Sequence, residues 1–273
     1  MDGLNETAVL SNLRTLWLGQ ACHYWPEVAS TNESLKQAVA AGTTVSPAHG
    51  TLHLTDFQTQ GRGRLRRIWQ APAGTSLLFS LLFRPDWPGE QANWLTMLTT
   101  LAAADAIEAA TELKVGIKWP NDLMVCHESV WHKVGGILLE GNLDERGVLR
   151  SAIVGVGLNV NIPFGQLPVT ETPVASLLVL TGRPVDRVSL LTDLLWRLEA
   201  GYGTAVAGQS PHSAWNERLV TRGKSVTVTS VVDATRTVIY GTAEGTDRYG
   251  SLLLRDESGH WHTISAGDVT LRT

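Results

Sequence analysis

Three textures of apolar and polar positions follow one another along the chain, and each predicts a different kind of element. The run from Thr75 to Arg84 is almost continuously apolar, which predicts a strand covered on both faces, and the turn-forming Ala71-Pro72-Ala73-Gly74 leads into it. Thr51 to Phe57 alternates in part and predicts a strand that delivers Gln58 to the segment beyond. Trp94 to Leu113, built of alanine, leucine and threonine and apolar on every side, predicts a helix at the centre of the molecule. Arg187 to Tyr202 has the one-sided pattern of an amphipathic helix, and Ser213 to Leu219 predicts a shorter one. Ser30-Thr31-Asn32 is an N-cap signal for a helix over Glu33 to Ala41 that Gly42 would stop.

Val115 to Trp119 predicts a short strand halted by Pro120, which has no amide proton for a ladder, and Asn121-Asp122 favours a tight turn at its end. Val134 to Glu140 and Ser151 to Val160 read as strands paired across Gly141 to Gly147, which makes the sheet mixed. From about Arg222 the runs shorten. Ser225 to Val232, Thr237 to Ala243, Gly250 to Arg255 and Trp261 to Ser265 alternate between polar turn clusters, the pattern of a small barrel. The expected division is an α/β (α+β) domain of mixed sheet and flanking helices over residues 1–222, followed by a small β-barrel over 223–273 with a core of its own.

Length agrees with this division, because 273 residues hold one large core and an appendage. A net charge of -4 argues against generic nucleic-acid binding, which needs a positive face. Cys22 and Cys126 form neither a disulfide framework nor a metal-ligand spacing and suit the reduced thiols of a cytoplasmic protein. Asp2 and Glu6 stand where a targeting segment would be basic, and no apolar run approaches the ~18 residues of a membrane span.

Against the acidic background, Gly61 to Trp69 packs four arginines and two glycines into nine residues. Glycine lets a backbone approach a ligand closely, and the guanidinium fork suits phosphate and carboxylate oxygens; taken alone, the stretch is equally a solvated basic loop. Three further motifs follow in order: Lys118-Trp119-Pro120-Asn121-Asp122-Leu123, Lys133-Val134-Gly135-Gly136-Ile137-Leu138, and Gly155-Val156-Gly157-Leu158-Asn159-Val160-Asn161. Each residue has a plain structural reading as well. Lys133 reads as a strand-end lysine, Gly135 and Gly136 as a bulge or a close approach, Asn121-Asp122 as turn chemistry, Ser80 as a buried serine bonded to backbone, and Trp69 and Trp119 as core. The glycine pattern at 155 lacks the third glycine of a dinucleotide fingerprint. The histidines form no visible triad, and none is assigned as a general base.

These four motifs in this order resemble the biotin protein ligases, and the resemblance runs from about Ser30 to the C-terminus. It implies attack of the biotin carboxylate on the α-phosphate of ATP, departure of pyrophosphate, and opening of biotinyl-5'-AMP by a lysine of a biotin carboxyl carrier domain of an acyl-CoA carboxylase. ATP and Mg²⁺ are the cofactors implied, with biotin as substrate, and the tail resembles the SH3-like C-terminal domain of these ligases. Some members carry an N-terminal DNA-binding domain and double as repressors. Residues 1 to about 20 are too few for one, so a monofunctional ligase is expected, without nucleic-acid or membrane partner and as monomer or homodimer.

By the same resemblance Lys133 would bridge the biotin carboxylate and the α-phosphate, with Arg62 and Arg64 completing the catalytic set. Ser30, Thr31, Asn32, Gln58, Ser80, Gly135 and Gly136 would border biotin together with those three. Arg67, Trp69, Lys118, Asn121, Asp122 and Asn159 would join the arginines around the nucleotide, and Mg²⁺ would ride on the ATP phosphates with Asp122 as a candidate ligand. One departure stands out: Leu65 and Arg66 occupy places where the pattern has a basic residue and then glycine. If the closed loop needs positive φ at the second place, Arg66 is strained by about 1 kcal/mol and the open loop gains. A lipoate protein ligase shares this chemistry, although the basic loop and the Lys118 to Leu123 motif favour biotin. A biotin-sensing repressor without transfer activity is the other alternative, and a gel-shift assay separates it.

Overall fold

The computed structural model describes residues 3–41, 47–232 and 235–271, and among these the chain builds two sheets. The larger has eight strands: Cys22–Val28 (β1), Leu52–Gln58 (β2), Ser76–Phe83 (β3), Trp87–Pro88 (β4), Val115–Lys118 (β5), Asp122–His127 (β6), Val130–Leu143 (β7) and Val148–Asn159 (β8). Their order is β1-β2-β3-β8-β7-β6-β5 with β4 paired to β8. β1 runs parallel to β2 and the other pairs are antiparallel, so the sheet is mixed, as expected. The helices are Glu6–Asn12 (α1), Thr31–Ala40 (α2), Trp94–Thr111 (α3), Leu177–Thr181 (α4), Arg187–Val206 (α5) and His212–Glu217 (α6). Lys224–Val232 (β9), Thr235–Thr246 (β10), Leu252–Asp256 (β11), Trp261–Ile264 (β12) and Asp268–Leu271 (β13) form a second, antiparallel sheet in the order β12-β11-β10-β9-β13.

Hydrophobic pattern accounts for the centre. All residues of β3 are buried, because the strand lies between β2 and β8. α3 touches α5, α6 and strands β5 to β7, which is why it is apolar all round. Its threonines stay satisfied by turning back one turn: Thr99 donates to Leu95 O at 2.6 Å and Thr111 to Ile107 O at 2.6 Å.

Differences fall where the pattern is weak. α2 begins at Thr31, two residues before the expected start, and Ser30 takes the extended N-cap conformation without a side-chain capping bond. Gly42, expected to stop this helix, lies outside the described residues. Asp122, expected in a turn, opens β6 and pairs with Lys118, so the turn is Trp119-Pro120-Asn121. Neither β6 nor the edge strand β1 was expected. The first has too short an apolar run, and the second is interrupted by Pro26 and Glu27 at a wet edge. Gly141 is not part of the hairpin turn; it pairs with Ala152 inside the ladder.

The tail does not bury a core apart. Val226, Val228, Ala243, Leu252, Leu254 and Val269 belong to the same continuous core as Leu98, Trp119 and Trp215. Two indoles reach across: Trp119 Nε1 donates to Gly250 O at 2.8 Å and Trp94 Nε1 to Arg248 O at 3.0 Å. Gly250 has φ +88°, and a Cβ there would sit 2.6 Å from Met97 Cε on α3. Gly250→Ala therefore combines a left-handed backbone with overpacking and is expected to lower the unfolding free energy by about 2–4 kcal/mol in a single urea transition. Two separated transitions, only the second unchanged from wild type, would show the tail to be an independent unit.

Candidate active site

A cleft of about 660 Å³ opens where the C-terminal ends of β2 and β8, the turn between β5 and β6, the first half of β7 and the basic loop meet, with Asp268 to Thr270 of the tail along one side. The basic loop closes on itself. Arg62 and Ile68 form an antiparallel bridge, Gly63 N–H donates to Arg67 O at 2.8 Å, and Trp69 N–H donates to Gly61 O at 3.0 Å. The left-handed residue in this turn is Leu65 (φ 53°, ψ 38°), and Arg66 does not have positive φ. The strain expected at Arg66 therefore sits one residue earlier, on a half-exposed leucine that makes no compensating polar contact.

One end of the cleft is neutral and hydrogen-bonded. Gln58, placed by the end of β2, accepts the Thr31 amide at 2.9 Å. The Ser80 hydroxyl of β3 is 2.7 Å from Thr31 Oγ1 and 2.5 Å from Asn32 Oδ1. Asn32 Nδ2 donates to Glu140 Oε2 at 2.7 Å, and the other oxygen of Glu140 receives Lys36. Ser30, Thr31, Asn32 and Gln58 line the cleft, whereas Ser80 is fully buried behind its wall. The Asn32 amide packs against Gly155, where any Cβ would collide with its oxygen.

The other end is cationic, and a bulge arranges it. The β6–β7 register runs Asp122↔Gly136 and Leu123↔Gly135, then shifts so that Met124 faces Lys133, leaving Val134 as the extra residue. In a regular strand Lys133 and Gly136 would point to opposite faces; the bulge turns Lys133 onto the face of Asp122, and its Nζ lies 2.7 Å from Asp122 Oδ1. Gly136 leaves the space, since a Cβ there would be 3.3 Å from that carboxylate oxygen and 3.8 Å from Lys133 Nζ. Lys133 Nζ is also 5.9 Å from the Trp69 ring centroid, within cation–π range.

Lys118 Nζ donates to Thr172 Oγ1 at 3.1 Å, and Arg64 Nη1 to Asn121 Oδ1 at 3.3 Å. Burial holds Lys118 below its ordinary pKa, with Asp122 opposing and Lys133 reinforcing the shift; burial likewise lowers Arg64, opposed by Asp268 and Asp122. At the rim Arg62 pairs with Glu33 and Arg67 with Asp268 of β13. The Trp69 ring rests on Gly157, whose Cβ would be 2.7 Å from Cε2, and its indole nitrogen is buried without a partner.

Two further expected residues do not face the cleft as simply. Gly135 lies behind the wall against Gly157 O, and Asn159 lines the cleft but commits an amide hydrogen to Ala175 O at 3.2 Å. The segment 168–174 carried no signal in the sequence, and Gly267-Asp268-Val269, noted only as resembling the end of a ligase tail, was not expected at the cleft. The first is aperiodic, and the second is brought to the cleft only by tail docking.

Residues 28–159 match the model of the Biotin/lipoate A/B protein ligase family, and residues 221–272 match that of the Biotin protein ligase C terminal domain. Fold and cleft thus define a ligase of the biotin and lipoate class. The chain is 33% identical over 251 residues to the biotin--[acetyl-CoA-carboxylase] ligase of Mycobacterium tuberculosis, covering 89% of this chain and 86% of that protein. It is 32% identical over 271 residues to the bifunctional ligase/repressor BirA of Bacillus spizizenii, covering 98% and 79%. The structure is similar to biotin protein ligase from Aquifex aeolicus in complex with biotin and ATP, with a TM-score of 0.72 and 28% identity over 93% of this chain and 99% of that one. The chain belongs to the biotin protein ligases.

Ser80→Ala removes the buried donor that ties Thr31 to Asn32. It is expected to lower stability by about 1–3 kcal/mol, read as a shift in urea midpoint. A shift below about 0.5 kcal/mol would show that Ser80 contributes packing only.

Proposed function

We propose that this ligase converts biotin and ATP to biotinyl-5'-AMP and pyrophosphate, then transfers biotin to a lysine of a biotin carboxyl carrier domain of an acyl-CoA carboxylase. The observation that carries this reading is the division of one cleft: Ser30, Thr31, Asn32 and Gln58 form a neutral end, and Lys118, Lys133 and Arg64 form a cationic end with Arg62 and Arg67 at its rim. An uncharged ureido head suits the first. The second suits the meeting of a carboxylate and a triphosphate, two anions that repel until positive charge lies between them.

In the first step a carboxylate oxygen bonds to the α-phosphorus while the bond to the β-phosphate oxygen breaks. Lys133 supplies the charge at that junction, and Arg64 and the rim arginines hold the phosphates. In the second step a lysine amine bonds to the acyl carbon, the bond to the AMP oxygen breaks, and the amine proton passes to solvent. Among the described residues no group of three or more His, Cys, Asp or Glu side chains is placed to hold a metal. Asp122 and the Asn121 amide oxygen are oxygen donors at the cationic end, and Glu171 and Asp268 add carboxylates to its wall, but no three such groups converge, so Mg²⁺ would enter with ATP, carried mainly by phosphate. Biotin is favoured over lipoate by the match of the tail to the biotin ligase C-terminal model. Free Cys22 and Cys126 suit a reducing cytoplasm, and no described helix is long and apolar enough to cross a membrane.

The direct test is incubation with MgATP, a carrier domain and either biotin or lipoate, with the modified lysine read by mass spectrometry. Biotin addition is expected, and lipoate addition alone would overturn the assignment. Lys133→Ala is expected to slow biotin-dependent pyrophosphate release by roughly 10²-fold or more while the circular dichroism spectrum is retained; near-wild-type release would remove Lys133 from the mechanism. For the loop, Leu65→Gly relieves a left-handed leucine worth about 1 kcal/mol and is expected to slow biotinyl-5'-AMP dissociation about fivefold in a stopped-flow chase. Arg66→Gly is expected to bring no such gain, and equal slowing by both variants would place the conformational demand elsewhere.

A further inference from the structure

The neutral end of the cleft is wired to a carboxylate outside it. Glu140 of β7 does not line the cleft, yet it holds Lys36 and Asn32 at once. A carboxylate paired in this way only accepts hydrogen bonds, so the Asn32 amide must turn its Nδ2 toward Glu140 and its Oδ1 toward Ser80. Burial pushes the Glu140 carboxyl up, but the hydrogen bonds from Lys36 and Asn32 and the charges of Lys36 and Arg62 together hold it below its ordinary pKa, so it remains an acceptor near neutrality.

The consequences run inward one proton at a time. Ser80 has a single hydroxyl hydrogen, and Asn32 Oδ1, 2.5 Å away, can be satisfied at that contact only by taking it. The 2.7 Å contact between Ser80 and Thr31 must then be filled by the Thr31 proton, in preference to the longer 3.2 Å contact from Thr31 to Gln58. Thr31 Oγ1 is left with a lone pair and no proton to offer, and the side-chain hydrogens that remain at this end belong to the Ser30 hydroxyl and the amides of Asn32 and Gln58. A cyclic urea presents N–H donors on its flanks and a carbonyl acceptor at its apex. The wall therefore has matching polarity only while Asn32 stays in this orientation.

We propose that Glu140 is a positioning residue for the biotin ureido ring, acting through Asn32 and Ser80 to fix Thr31 as a hydrogen-bond acceptor. The proposal rests on the biotin reading above. Glu140→Gln keeps size and shape but lets residue 140 donate as well as accept, so the Asn32 amide is free to turn over. Lys36→Met removes the ion pair and leaves the carboxylate, so the amide stays fixed.

The experiment measures biotin-dependent pyrophosphate release by the full chain with MgATP, varying biotin. Glu140→Gln is expected to raise KM for biotin about tenfold, the loss of one well-formed hydrogen bond, with kcat within about twofold of wild type. Lys36→Met is expected to leave KM within about twofold. KM does not depend on how much of a variant is folded, so partial misfolding does not imitate this pattern. An unchanged KM in Glu140→Gln overturns the proposal, as does an equal rise in Lys36→Met, which would make the network a matter of charge or packing. Absence of biotin-dependent release by the wild-type protein overturns the functional reading itself, and this proposal with it.

Discussion

The cleft depends on one ammonium held beside one carboxylate, Lys133 against Asp122 at 2.7 Å. Lys118 and Arg64 are half-buried close by, both with pKa values lowered by loss of water. Partly buried positive charges of this density repel one another, and desolvation disfavours each. Asp122 is the carboxylate at their centre that keeps the assembly tolerable without a substrate. Its placement is a matter of register: the bulge at Val134 turns Lys133 toward it, and Gly136 leaves the opening. An arriving anion then meets charge already aimed, and little reorganisation remains for the reaction itself.

At the opposite end the demand is for defined polarity rather than charge. Serine and threonine hydroxyls can each donate or accept, so a wall made of them alone would present several hydrogen-bond patterns. Anchoring the chain from Asn32 to Glu140 removes that freedom, because an acceptor-only group at one end dictates the sense of every bond after it. Gly155 serves the same arrangement by letting the amide pack against β8. The two ends thus use different physics on neighbouring strands: field strength around Lys133, and proton order around Thr31.

What was legible in the sequence follows from this. The buried strand Ser76–Phe83 and the central helix Trp94–Thr111 were visible because burial on all sides leaves an apolar run that nothing else explains. Many of the residues that line the cleft were visible because glycine, arginine and asparagine in this order have few structural reasons to stand together. The bulge was only half visible: the glycines at 135 and 136 hinted at one, but which residue it would re-aim depends on the partner strand, and that strand was not expected. Glu140 had no signal at all, since a glutamate near a strand end ordinarily faces water. Leu65 shows the limit of motif matching. The motif marked the loop's unusual residues, but the backbone chose its own place for the left-handed turn.

The tail adds a constraint that the motifs do not carry. Its apolar face completes the core beneath Trp119, in the turn that also holds Asn121 and leads into Asp122, while its last strand brings Asp268 to Arg67 on the basic loop. Two sides of the cleft are therefore referenced to the same small sheet, one through packing and one through an exposed ion pair. The unequal strengths matter. Packing at Trp119 and Gly250 resists displacement, whereas a solvent-exposed pair such as Arg67 with Asp268 contributes little and exchanges readily for another anion. A phosphate-bearing ligand can thus draw Arg67 from Asp268 without disturbing the turn that positions Asp122, so the loop can answer an anion while the pairing of Lys133 with Asp122 stays fixed.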